Sequence, residues 1–419
     1  MDTKVELELM RAMSNPKNYL QKSNFLIIGA GIIGLSIAKR LREKYPDKSI
    51  TIIEKESKVA LHASGRNSGV LHAGFYYTTD SLKAKFTRDG NAMMKSFCEN
   101  QGIDINYSQK VVISQSEEEL ETLFELEKRG KINGVDVSII TQDELSDIEP
   151  NAKTYKYALY SPSTATINPK EVTEKLAELL ANDGVRFEFD CSYKEYIGED
   201  IISTTKGEFK ADVIINTAGL YADKIAHDFD VGKRYTIIPF KGVYLKYSKD
   251  DKPIKRNIYP VPNLKNPFLG VHYTITQDNT IKIGPTAIPA FWRENYKGFE
   301  NFNISEMFSI LGYEAKLFLT NSFGFRDLAF EEFKKYSKSY LVSLANGMVN
   351  KIDKDGFDSW SKAGIRAQLL DRDTLELVQD FVVESKGGSV HILNAVSPAF
   401  TCSFAFASWV VDEYISRKI

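Results

Sequence analysis

The apolar positions change period twice between Asn24 and Glu54. Phe25–Ile28 is an unbroken apolar run, the pattern of a strand buried on both faces. Gly29-x-Gly31-x-x-Gly34 follows at once, and Ile33, Ile37 and Leu41 then recur at helical spacing. Ile50–Ile53 is a second apolar run, and it ends in the carboxylate of Glu54. Strand, glycine turn, helix and strand in this order predict a Rossmann-like unit that binds an adenine dinucleotide. Gly29 permits the tight turn, Gly31 leaves room for a pyrophosphate, and Gly34 lets helix and sheet pack closely. Ile32 and Ile33 open the helix, whose free N–H groups and dipole favour the phosphates. Glu54 stands 20 residues beyond Gly34, where a carboxylate can bind the hydroxyls of an unphosphorylated ribose, with Lys55 beside it.

Further along, Ser64, Arg66, Asn67, Ser68, Gly69 and Val70 form a polar, glycine-punctuated loop that ends at His72. Such a loop can run along a diphosphate. Helices are predicted over Leu82–Gln101, Glu117–Arg129 and from Pro169 to Leu180, the last with Asn168 as N-cap. Val185–Phe189 and Ile201–Thr205 read as strands, and a buried strand then runs into Asn216-Thr217-Ala218-Gly219. From Arg234 the character changes. Tyr235–Phe240, Val243–Tyr247, Asn257–Val261, Phe268–Thr276 and Thr280–Ile283 are short strands parted by Pro, Asn and Gly, a mostly antiparallel layer. Helices follow at Ile304–Leu319 and Glu331–Val342, then strand Ser389–Leu393 and a final helix to Ile415. The fold class expected is α/β, α+β overall.

At 419 residues the chain is long enough for two domains. Its net charge of −2 gives no footprint for nucleic acid. Cys98, Cys191 and Cys402 lack metal-ligand spacing, so no metal site is expected and a reducing compartment is the default. No run approaches the ~20 apolar residues of a spanning helix. The first 23 residues lack the apolar core of a secretory signal, although Val5, Leu7, Leu9, Met10 and Met13 could line one face of a short helix.

Taken together, the glycine motif with Glu54, the Asn67–Gly74 stretch, Asn216–Gly219 and Gly364-Ile365-Arg366 resemble the D-amino-acid-oxidase-type FAD oxidoreductases. Within them the chain is most similar to the L-2-hydroxyglutarate dehydrogenase/oxidase branch. That likeness rests on Pro239–Gly242, Tyr259–Pro262, Phe268–His272, Gly284-Pro285, Ala363–Gln368 and Asn394–Ala399. The resemblance implies FAD held by a domain of discontinuous segments, 24–90, 150–233 and 363–419. Segments 91–149 and 234–362 then form a β-rich substrate domain, and 1–23 is an extension. It implies oxidation of an L-2-hydroxy acid to the 2-oxo acid, with a quinone-like acceptor or oxygen taking the electrons. A cytoplasmic location is expected, with peripheral contact to the inner membrane left open.

That reaction needs a cation for the carboxylate, a base for the hydroxyl proton and donors beside the flavin. The resemblance assigns the carboxylate to Arg366; the alternative is a salt bridge to Asp371. Lys241 is a second cation suited to a distal carboxylate, and Tyr259 and Arg66 complete the expected substrate contacts. His272 and His72 are the candidate bases. Ala218, Gly219, Ser397, Pro398, Ala399 and Thr401 are expected at the cofactor. Two positions depart from the branch pattern: Arg66 stands where His is usual, and Lys241 where Arg is. Amino-acid or glycerol 3-phosphate-like substrates and a non-catalytic flavoprotein remain alternatives, and the glycine motif alone suits NAD equally.

Overall fold

The computed structural model describes residues 20–263 and 270–419. The Val5–Met13 stretch and the first two residues of the expected Phe268–Thr276 strand lie outside the described residues.

Three parallel strands set the position of the site. Gln21–Ile28 lies between Gly207–Asn216 and Ile50–Ile53, with Ile28 opposite both Asn216 and Ile53. Ser389–Asn394 joins in parallel on the far side of Gly207–Asn216. Four strands therefore end at the same edge, and the glycine turn, Glu54, Thr217 and Ala395 all emerge there. Ligands of open α/β sheets bind at that edge. Phe25 and Ile27 pack on one face, against the helices Ile32–Lys44, Leu82–Gln101 and Ala399–Val410. Leu26 and Ile28 pack on the other, against Ala222–Asp228. Both faces are covered, which is why the strand shows no polar alternation.

A second sheet has the order Phe357–Trp360, Leu245–Tyr247, Ile281–Gly284, His272–Ile275, Asn257–Pro260, Lys110–Ile113, Tyr157–Ser161, Ser138–Thr141. Its pairings are antiparallel except that between Asn257–Pro260 and Lys110–Ile113. Tyr235–Gly242 pairs with Gly364–Asp371, placing Phe240 opposite Arg366.

Several elements differ from the reading of the sequence. Tyr157–Ser161 belongs to the second sheet although it falls inside segment 150–233, and Gly364–Asp371 pairs across the boundary expected at 363. Periodicity identifies a strand but not its partner. The helix expected over Glu331–Val342 is two, Phe325–Lys334 and Lys338–Asn346. They part where the Ser337 hydroxyl accepts the Tyr340 N–H as an N-cap. Strands Tyr193–Gly198 and Val382–Lys386 were not anticipated. Leu82–Gln101 is helical over the expected span, and Asn168 accepts from the N–H groups of Lys170 and Glu171.

Candidate active site

The shared strand edge opens into a cavity of about 960 Å³. At its dinucleotide end the glycines act through space. Gly29 has φ +104°, and a Cβ on Gly34 would lie 2.2 Å from the Gly29 carbonyl oxygen and 2.7 Å from Thr217 Oγ1. Thr217 Oγ1 itself donates to the carbonyls of Ile28 and Gly29, both at 3.0 Å, and so pins the turn. Glu54 accepts from the N–H groups of Ala30 at 2.9 Å and Glu56 at 3.0 Å. Ser64 Oγ accepts from Ile32 N–H at 2.9 Å. Gly31 offers no capping side chain, and the Ile33 and Gly34 N–H groups lie too early in the helix for intrahelical partners. The site fits a pyrophosphate: donors, positive dipole end and a side-chain-free wall coincide.

The neighbouring loop is braced largely by its own atoms. Asn67 Nδ2 donates to the carbonyls of Ala63 and Ser64, and its Oδ1 accepts from Gly69 N–H at 2.9 Å. Ser68 Oγ accepts from Val70 N–H. Gly69 has φ +78°, and a Cβ there would meet the Ile167 carbonyl oxygen. Arg66 donates to the carbonyls of Leu61 and Ala363, and its guanidinium lies 4.2 Å from the Tyr296 ring centroid. It clamps this loop to the start of Gly364–Asp371. Lys55 lies among Glu56, Glu294 and His62, with Nζ 2.8 Å from Glu294 Oε1 and 2.9 Å from His62 Nε2. These three residues could bring ligand atoms together for a metal, but an ammonium already supplies their positive charge.

At the other end stand His72, Arg366, His272, Tyr259, Tyr244 and Phe240. His272 stacks on Tyr259 with centroids 3.7 Å apart. Its Nδ1 lies 2.8 Å from the Gly270 carbonyl, which makes Nδ1 the donor and leaves the Nε2 lone pair available. Burial, reinforced by Lys110 and Lys282, pushes His272 down to about 3. His72 is likewise held well below the usual imidazole range, by burial and then by Lys110, His272 and Arg366. Both are neutral at working pH. Thr401 Oγ1 accepts the His72 backbone N–H and donates to the Val70 carbonyl, tying this loop to the helix Ala399–Val410. Ser397, Pro398, Ala399 and Thr401 line the cavity at that helix's N-terminus. Buried lysines surround the group, Lys83 and Lys282 each lowered to about 8 and Lys110 to about 7, in each case chiefly by burial.

Of the residues singled out in the sequence, Gly29, Gly31, Ile32, Ile33, Glu54, Lys55, Ser64, Arg66, Asn67, Ser68, Val70, Ala218 and Gly219 line the cavity with the flavin-end residues. Gly34 and Gly69 act from behind it, as spacers. Lys241 is a correction. Phe240 and Gly242 line the cavity, so strand alternation turns Lys241 to the opposite face, where it donates to Asn295 Oδ1 at 3.2 Å. Arg66 commits two of its five N–H donors to carbonyls and keeps its place in the cavity wall. Asp371, the acid considered as a partner for Arg366, pairs with Arg234. Tyr244, Lys83, Lys110 and Lys282 carry no signal in the sequence that points to this site, and Thr217 is read there only as part of the Asn216–Gly219 stretch. The two strand lysines sit among β-branched neighbours, a pattern that reads as a solvated face until a second layer covers it.

Comparison with known proteins agrees with this geometry. The model of the family described as FAD dependent oxidoreductase matches residues 24–413. The L-2-hydroxyglutarate dehydrogenase of Escherichia coli (strain K12) is 33% identical over 93% of this chain and 92% of its own. That of Indibacter alkaliphilus is 34% identical over 94% and 98%. Among solved structures, the L-alpha-glycerophosphate oxidase from Mycoplasma pneumoniae superimposes with a TM-score of 0.72 at 19% identity, covering 94% of this chain and 95% of that one. The glycine turn, the acid at the end of the second strand, the sheet assembled from separate segments and the matched span therefore lead to one assignment: the chain belongs to the FAD-dependent oxidoreductase family and is a flavoenzyme.

Proposed function

We propose that the chain oxidises the hydroxyl carbon of an L-2-hydroxy acid to the 2-oxo acid, with L-2-hydroxyglutarate the substrate of choice. The observation that carries this reading is the meeting of Arg366, His272 and His72 at one end of the cavity, with the buried Lys83 and Lys282 close behind its lining. Arg366 binds the C1 carboxylate as a planar fork and orients C2–H. His272 Nε2 takes the hydroxyl proton as the C2 hydride departs, and His72 is the alternative acceptor. FAD, when bound, would supply the hydride acceptor, with a quinone-like acceptor or oxygen as the final destination of the electrons. The N-terminus of Ala399–Val410 directs its N–H groups toward the flavin end, where donors stabilise developing negative charge. A guanidinium in an apolar site suits an anionic substrate, and the names of the relatives point to a five-carbon diacid.

The test is anaerobic bleaching of the oxidised-flavin absorbance by a panel of L- and D-2-hydroxy acids, L- and D-amino acids and glycerol 3-phosphate. Rapid bleaching by L-2-hydroxyglutarate is expected. Bleaching by an amino acid or glycerol 3-phosphate instead would refute the substrate class, and no bleaching by any would favour a non-catalytic flavoprotein.

A further inference from the structure

Lys110 has no counterpart in the reaction as described, yet it is the most enclosed cation near the cavity. Its side chain is fully buried, and its Nζ has no hydrogen-bond partner among the described residues. Three rings cage the ammonium: the Tyr259 centroid at 4.0 Å, that of Tyr76 at 5.2 Å and that of Phe75 at 5.7 Å. The strand register explains the arrangement. Lys110–Ile113 runs parallel to Asn257–Pro260, with Lys110 opposite Asn257, so Lys110 and Tyr259 share one face of the sheet. His272 lies on that face too, stacked on the same Tyr259 ring. An unpaired ammonium in such surroundings is costly to keep, and π faces recover only part of the lost hydration.

We propose that Lys110 is a positioning residue for His272: caged on the ring that stacks against His272, its charge keeps that imidazole unprotonated and thus able to accept a proton. A general base must be free of its proton before substrate arrives, and a bound carboxylate would otherwise favour the imidazolium. Lys110 opposes that in its ammonium form, which burial confines to pH values below about 7, the range in which His272 would otherwise take up a proton. The other groups acting on His272 are Lys282 from Ile281–Gly284, Lys335 beyond Phe325–Lys334, and the Gly270 carbonyl, which works in the opposite sense. On His72 they are His272, Arg366 from Gly364–Asp371 and Lys83 from Leu82–Gln101. Among the described residues, Lys110 is the lysine seated over the ring that stacks on His272.

The proposal rests on the reading of His272 as the base, and its test separates the two. Nitrogen-15 NMR of the holoenzyme's five histidines, assigned with His→Gln variants, reports their titration directly without turnover. In the natural chain His272 is expected to stay neutral to well below its ordinary range. In Lys110→Met its titration midpoint, and the acidic limb of the kcat/KM profile, are expected to rise by roughly one pH unit or more, and Lys110→Arg is expected to reverse the shift. An ordinary His272 midpoint in the natural chain overturns the proposal even where the methionine variant does not fold. Lost activity with unshifted histidine titration also overturns it, because a merely structural lysine behaves that way. A shifted titration with full turnover in His272→Ala would instead uphold the coupling and refute His272 as the base.

Discussion

Gly34→Ala isolates the dinucleotide cradle with one methyl group. Gly34 lies in the helix Ile32–Lys44, where Ala ordinarily stabilises a helix by about 1 kcal/mol relative to Gly. Here the added Cβ would fall 2.2 Å from the Gly29 carbonyl oxygen, 2.7 Å from Thr217 Oγ1 and 3.2 Å from Ile27 Cγ2. The nearest atom belongs to the turn's backbone, so no rotamer change relieves it. The helix N-terminus must retreat from the strand by about 1 Å, and overpacking of that kind costs about 1–3 kcal/mol. The retreat also carries the Ile33 and Gly34 N–H groups away from the pyrophosphate, so FAD affinity is expected to fall by about tenfold or more, or roughly 1.4 kcal/mol. The assay is flavin-to-protein ratio after purification, together with the unfolding temperature with and without added FAD. Gly312→Ala is the control: that glycine lies in the helix Ile304–Thr320, and a Cβ there meets nothing within 4 Å. It is expected to hold or raise stability with unchanged flavin content. Full flavin occupancy and an unchanged unfolding temperature in Gly34→Ala would refute the close-packing argument.

Arg366→Met is expected to lower kcat/KM for L-2-hydroxyglutarate by about 10²–10³, the loss of a charge-assisted pair worth about 3–4 kcal/mol, with flavin retained. Anaerobic flavin reduction measures it, and a loss below about tenfold would remove Arg366 as the carboxylate anchor. Lys241→Met is expected to leave kcat/KM within about threefold, since its ammonium serves Asn295 outside the cavity; a tenfold rise in KM would restore it as a substrate cation. Stability is expected to fall on mild acidification. Burial holds His272 at about 3 and His391 at about 4, against about 6.5 in the unfolded chain. The unfolded state therefore binds more protons below about pH 6.5. The stabilisation from neutral burial is complete above that pH and is lost as pH falls toward about 4 for His391 and about 3 for His272, by up to about 1.4 kcal/mol per pH unit for each histidine. Urea unfolding at about pH 7.5 and about pH 5.5 checks the sign, and His391→Asn should flatten the difference.

Local signals were sufficient wherever a short stretch performs its whole task. The βαβ unit is legible because Gly29, Gly31, Gly34 and Glu54 act within one strand–turn–helix–strand run. The same holds for the Asn168 cap, which needs only the next three residues. The flavin end is different. Arg366, His72 and His272 lie far apart in the chain, and no periodicity brings them together; resemblance named them, and the folded sheets supply their shared cavity. The polarity of Asn67 and Arg66 suggested ligands, but a folded loop has its own carbonyls to satisfy, and both side chains are committed to them.

By itself, then, the sequence determined the first strand–turn–helix–strand unit with its glycine cradle and closing acid, because these depend on contacts between near neighbours. Only the tertiary structure decided which charges face the cavity. Lys241 and Lys110 are both strand lysines with unremarkable neighbours in the chain. One is turned outward by the alternation of its strand. The other is enclosed by three rings brought from Phe75, Tyr76 and Tyr259, because the layer that covers a sheet face comes from elsewhere in the chain.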